Sequence, residues 1–191
     1  MFYVLVHFPQ IDYTKINQIR RQYDPTFRII DPHITLMFPV PDNLGEENLI
    51  QHLTPILKGT RSFPIDIGGF VKSWDHWLFL TLQKGNKEIT TLYHKIYSGT
   101  LTDYKRPDIS FIPHIGLGLF IKQGEKYSLL DPEAVEFDQN CYEEALENAK
   151  KHNLNFHCQF DRVHLLKLND NLSKVVWQKE FSLKNDIATV I

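Results

Sequence analysis

The chain has 191 residues, 42% apolar and 23% charged, proportions of a folded globular protein that exclude a disordered one. Its 21 basic and 23 acidic residues leave a net charge of −2, which excludes the broad cationic surface that grips long duplexes. Two cysteines, Cys141 and Cys158, lack metal-ligand spacing and fit a reducing compartment better than a disulfide framework.

Phe2 to Phe8 is a short apolar strand. It carries no basic segment or small-residue cleavage site, and no apolar run approaches the roughly 18 residues of a membrane span. A soluble, cytoplasmic protein with no membrane partner, acting as a monomer, is expected. Ile16, Ile19 and Tyr23 follow at helical spacing before Pro25, and then comes the word Pro32-His33-Ile34-Thr35-Leu36. Asn43 with Glu46 suggests a capping box for a helix whose face is Leu49, Ile50, Leu53, Ile56 and Leu57, ended by Gly59. Phe63 to Val71 alternates as a strand, with Gly68-Gly69 marking a bulge or close backbone approach.

After a turn at Lys72 to His76, Trp77 to Gln83 opens a second round. Asn86 is the expected cap of a helix presenting Ile89, Leu92, Tyr93, Ile96 and Tyr97, closed by Gly99. A basic loop holding Lys105 and Arg106 leads to Pro113-His114-Ile115-Gly116-Leu117. Residues 122–139 read as a polar loop, and Tyr142, Ala145, Leu146 and Ala149 mark a fourth helix. Phe156 to Leu168 and Lys174 to Leu183, around Asn169-Asp170-Asn171, read as a closing hairpin.

Four of the five positions in the two histidine words agree, 81 residues apart, and packing alone does not require a repeated histidine. Alternation along a strand puts His33 and Thr35 on one face and Ile34 and Leu36 on the other, with His114 and Gly116 likewise opposed to Ile115 and Leu117. The order strand, helix, histidine strand, helix, strand occurs twice, over about 1–72 and 75–183, so the expectation is one bilobal domain spanning 1–191. Its class is α+β: antiparallel sheets forming a central cleft, helices outside, and the two histidines facing each other. Neutral imidazole takes a proton and imidazolium gives one, so such a pair supplies a general base and a general acid without a metal. In-line displacement at phosphorus needs that arrangement, and Thr35 is placed to donate its hydroxyl to a phosphate oxygen.

The paired words resemble the two His-x-Thr/Ser motifs of the 2H phosphoesterase superfamily, which includes the 2′-5′ RNA ligase-like RNA 2′,3′-cyclic phosphodiesterases. The resemblance extends to Phe70 after the glycine pair, the Arg106-Pro107 approach, and a C-terminal hairpin with Val163-His164-Leu165-Leu166 and Trp177. It implies a metal-independent cyclic phosphodiesterase that needs no cofactor and acts on a small nucleotide or RNA end, with His33 and His114 catalytic and Thr35 binding phosphate. Gly116 departs from the motif, where Thr or Ser is usual, and removes one phosphate donor. Tyr3, His7, Lys105 and Arg106 are the candidates to replace it or to bind substrate. The alternative is a nucleotide-binding or regulatory protein with little turnover. Zinc is excluded by spacing, since there is neither His-x-x-x-His nor Cys-x-x-Cys.

Overall fold

A computed structural model describes residues 1–125 and 135–184. The chain order is β1 (Phe2–His7), α1 (Thr14–Tyr23), β2 (Ile34–Pro41), α2 (Glu46–Lys58), β3 (Phe63–Lys72), β4 (Trp77–Lys84), α3 (Asn86–Ile96), β5 (His114–Leu119), α4 (Gln139–Lys151), β6 (Phe156–Phe160), β7 (Arg162–Leu168) and β8 (Val175–Ser182). Short 3₁₀ turns at Asp42–Leu44 and Gly99–Tyr104 complete it. Among the described residues eight strands join one antiparallel sheet in the order β6-β3-β4-β5-β2-β1-β7-β8, giving the α+β class. The two histidine strands are its central neighbours. They meet through a single pair, Ile34 with Ile115, while the flanking ladders run for five to seven pairs.

Alternation decides which face is sealed. Ile34, Leu36, Ile115 and Leu117 are fully buried in the main core, whereas His33, Thr35, His114 and Gly116 stay partly exposed on the other face. Each half supports the other's histidine strand, because α1 packs on β5 and α3 on β2. Tyr97, the residue just after α3, fixes that second contact by accepting a hydrogen bond from the Phe38 N–H at 2.9 Å. Gly118 is where α1 comes closest: a Cβ there would lie 2.5 Å from Tyr23 Cβ and 2.9 Å from Phe120 Cζ. Gly118→Ala is therefore expected to cost about 1–3 kcal/mol through overpacking, read as a lower urea midpoint at unchanged m-value.

Four local expectations are corrected. The capping box does not form, because Asn43 lies in the 3₁₀ turn and α2 starts after Gly45 (φ 76°) with no side-chain cap. Asn86 is the first residue of α3, after Gly85, and its amide donates to the Leu82 carbonyl. Gly99 opens a 3₁₀ turn beyond the end of α3. The stretch from Phe156 to Leu168 breaks at Asp161 into β6, which pairs with β3 at one edge, and β7, which pairs with β1 near the other. Only β7 and β8 make the closing hairpin. The third strands of the two rounds thus take different places: β3 crosses to lie beside β4, β6 lies beyond it, and β7 fills the position next to β1. Of the expected 122–139 loop, 126–134 lie outside the described residues, and its ends are pinned by an Ile121–Phe137 bridge.

Candidate active site

Each histidine follows a proline, and the proline shapes the site. In Asp31-Pro32-His33 and Ile112-Pro113-His114 the ring turns back on the residue before proline: His33 Nδ1 lies 2.8 Å from the Asp31 carbonyl and His114 Nδ1 2.6 Å from that of Ile112. Proline holds the preceding residue extended and offers no N–H of its own. A carbonyl only accepts, so Nδ1 carries the hydrogen and Nε2 keeps its lone pair. Among the described residues neither Nε2 has a hydrogen-bond partner. Two imidazoles are thereby set in the same tautomer, each offering its outer nitrogen.

Register places their neighbours. Continuing the Ile34–Ile115 pairing by one residue sets Thr35 opposite His114 and His33 opposite Gly116. Thr35 is partly exposed, and its hydroxyl makes no hydrogen bond to another described residue. Phe79 of β4 stacks on His114, with centroids 3.4 Å apart and planes at 16°. Phe8 stands edge-on to His33, with centroids 6.3 Å apart. Burial against these rings disfavours the charged form and draws both histidines down to about 4; the carbonyl partners and, for His114, Asp75 oppose the shift. A proton on His114 also disfavours one on His33.

The remaining candidates have other partners. Tyr3 and His7 do share a face, but it is the helix-covered one: His7 pairs across with Ile34, lies 4.1 Å from Phe160 in the core, and directs Nδ1 at the Arg162 carbonyl, 2.7 Å away. Tyr3 is equally buried, beneath the Lys167 ammonium. Neither flanks His33. Lys105 engages Nδ1 of His94 on α3 at 3.1 Å, and Arg106 forms a two-pronged pair with Asp108. Three residues that were not site candidates from the sequence do share the histidine face: Phe8, Phe79 and His164, whose ring meets Phe8 at 5.0 Å. Alternation along β4 hints at Phe79, since it shares a face with Thr81, the partner of His114. Trp77 lies against Gly116, where an added Cβ would meet its ring at 3.4 Å. Among the described residues no three His, Cys, Asp or Glu side chains gather as a metal-ligand set. No helix among them is long and apolar enough to cross a membrane.

A curled antiparallel sheet with twin histidine words on its two central strands is the architecture of the 2H phosphoesterases. The family model for the 2′-5′ RNA ligase superfamily matches residues 8–172, and the chain belongs to that family. A Bacillus licheniformis protein named "Putative phosphoesterase" is 26% identical over 182 residues, covering 93% of this chain and 96% of its own. One from Geobacillus thermodenitrificans with the same name is 26% identical over 84% of each chain. Among solved structures, Escherichia coli LigT complexed with 3′-AMP superposes with a TM-score of 0.57 at 12% identity, over 95% of this chain and 97% of that one. At that identity the likeness speaks for the fold.

Proposed function

We propose that the protein is a phosphodiesterase that opens a 2′,3′-cyclic phosphate on a small nucleotide or RNA end, with His33 and His114 as the acid/base pair and Thr35 as phosphate donor. The observation that carries the reading is the matched anchoring of the two rings, which leaves both Nε2 atoms unclaimed on adjacent strands. One Nε2 takes a proton from water as its oxygen bonds to phosphorus. The opposite ribose oxygen leaves as its P–O bond breaks, and takes a proton from the other Nε2. The pair ends with its protonation reversed and the product is a phosphomonoester. That LigT has been crystallised with 3′-AMP and with NADP⁺ supports a small nucleotide as ligand. The acid, the base and the phosphate donor in this scheme are all side chains of this protein, so the scheme calls for no metal, and a chelator is expected to leave the rate unchanged.

The pH profile tests it. Free rings near 4 are both neutral at pH 7, and the acid must then be acquired. kcat/KM, which reports the free enzyme, is expected to fall about tenfold per pH unit between about pH 5 and 8. kcat reports the bound state, where the phosphate anion stabilises an imidazolium, and holds to higher pH. A kcat/KM that stays flat or rises over that range contradicts an acid drawn from either ring. The second reading, a nucleotide binder with little turnover, draws on one observation, the Trp77 ring at the side of Gly116 where a hydroxyl would be. Tight product binding without hydrolysis would favour it.

A further inference from the structure

Helix α1 turns Ile16, Ile19 and Arg20 inward, and Arg20, 1% exposed, is buried as deeply as the aliphatic residues around it. A guanidinium there carries a desolvation cost that an aliphatic residue would avoid, and a buried ion pair is poor support for stability alone. Its hydrogen bonds show what it holds. Nε donates to Asp24 Oδ2 at 2.6 Å and Nη2 to the Ile30 carbonyl at 2.8 Å. Asp24 Oδ1 accepts from the N–H and the hydroxyl of Thr26, both at 2.7 Å. The Thr26 carbonyl accepts from the N–H groups of Ile29 and Ile30 at 2.8 and 3.2 Å. Residues 24–30 are thus strung from one guanidinium, and the next residue, Asp31, supplies the carbonyl that takes the His33 Nδ1 hydrogen.

The second half holds the same point by other chemistry. Aligning the buried faces Ile16, Ile19, Arg20 and Ile89, Leu92, Tyr93 matches Arg20 to Tyr93, and aligning the histidine words matches Ile30 to Phe111. Tyr93 is buried and stacks on Phe111, with centroids 3.9 Å apart and planes at 7°. The next residue, Ile112, supplies the carbonyl for His114 Nδ1. An ion pair on one side and an aromatic stack on the other grip equivalent residues, three before each histidine.

We propose that Arg20 and Tyr93 are paired positioning residues: Arg20, with Asp24, fixes the Asp31 carbonyl against His33 through Ile30, and Tyr93 fixes the Ile112 carbonyl against His114 through Phe111. Neither touches a reacting atom. Each decides which nitrogen of its histidine bears the hydrogen and how the ring is aimed, the part that a metal-bound histidine assigns to its outer partner. The catalytic consequence rests on the acid/base reading above, but the positioning itself does not. Because the two grips share no residue, loosening one leaves the other histidine in place.

Imidazole ¹⁵N shifts at neutral pH test this directly. In the wild-type protein both His33 and His114 should show the Nδ1–H tautomer, and an Nε2–H tautomer at either overturns the proposal for that half. Removing both charges together in Arg20→Met/Asp24→Asn should move the His33 nitrogens toward the averaged pattern of an unanchored ring and leave those of His114 unchanged. Tyr93→Leu should do the reverse. Should the double variant not fold, Arg20→Lys, which keeps the charge but loses the fork spanning Asp24 and Ile30, carries the comparison with Tyr93→Leu. Variants that disturb both histidines alike, or neither, overturn the proposal. With turnover measured alongside, kcat should fall about 10- to 100-fold in each half's variant while KM moves little. Selective tautomer loss in a protein without cyclic phosphodiesterase activity removes the enzymatic reading and leaves this one; normal turnover with indifferent tautomers does the opposite.

Discussion

Replacing either His33 or His114 with alanine is expected to lower kcat on a 2′,3′-cyclic nucleotide by about 10²- to 10⁴-fold, the contribution of one positioned acid or base. The two losses should not add. Once one partner is gone the remaining ring cannot run the proton exchange alone, so the double variant should be nearly as active as the worse single one. Both side chains are partly exposed on a face that the main core does not use, so circular dichroism and the urea midpoint should change little. His7→Ala is the matched control: it deletes a buried ring that packs on Phe160 and bonds the Arg162 carbonyl, so it should cost stability and spare kcat. Retention of wild-type turnover in either single variant would remove that histidine from the chemistry.

The pair was legible before any coordinates because strand alternation is a local rule. In Pro-His-Ile-Thr-Leu the apolar residues name the buried face, and the histidine must then occupy the other one. The same rule placed Tyr3 and His7 together but could not say on which side of the sheet, since every residue from Tyr3 to His7 is buried and the strand shows no polar alternation. Only the cross-strand partner of His7, the core residue Ile34, decides it. The break at Asp161 was hidden for a related reason. Two short strands that leave for opposite edges of a sheet look like one long strand until their partners are known. The helix starts were misjudged because Gly45 and Gly85, both with positive φ, begin α2 and α3 by backbone conformation without a side-chain cap. Phe8 and Phe79 carry no polar atom to mark them in the sequence, and Phe8 also packs on the Val4, Val6, Leu166 and Leu168 cluster, yet their rings meet His33, His164 and His114.

Gly116→Ser is expected to raise kcat/KM on the cyclic substrate about tenfold. Losing one preorganised donor to a developing oxyanion costs about 2.7–4 kcal/mol, so a site built with Thr35 alone has that much to regain, and a serine not refined for the position should recover part of it. The register sets residue 116 opposite His33 as Thr35 is opposite His114, so the new hydroxyl would stand in the mirrored position. Space is the constraint. A Cβ at 116 would reach the Trp77 ring at 3.4 Å, close but tolerable contact, and no positive φ stands in the way. Serine, with one γ oxygen, can choose a rotamer away from the indole, whereas threonine must also place a methyl group. Gly116→Thr should therefore gain less than Gly116→Ser until Trp77→Leu makes room, after which the two should converge. If serine leaves the rate unchanged with and without Trp77 trimmed, the missing hydroxyl is not what limits this site. Tight binding of 3′-AMP without hydrolysis in the wild type and in both variants would then identify a protein that holds the nucleotide and does not turn it over.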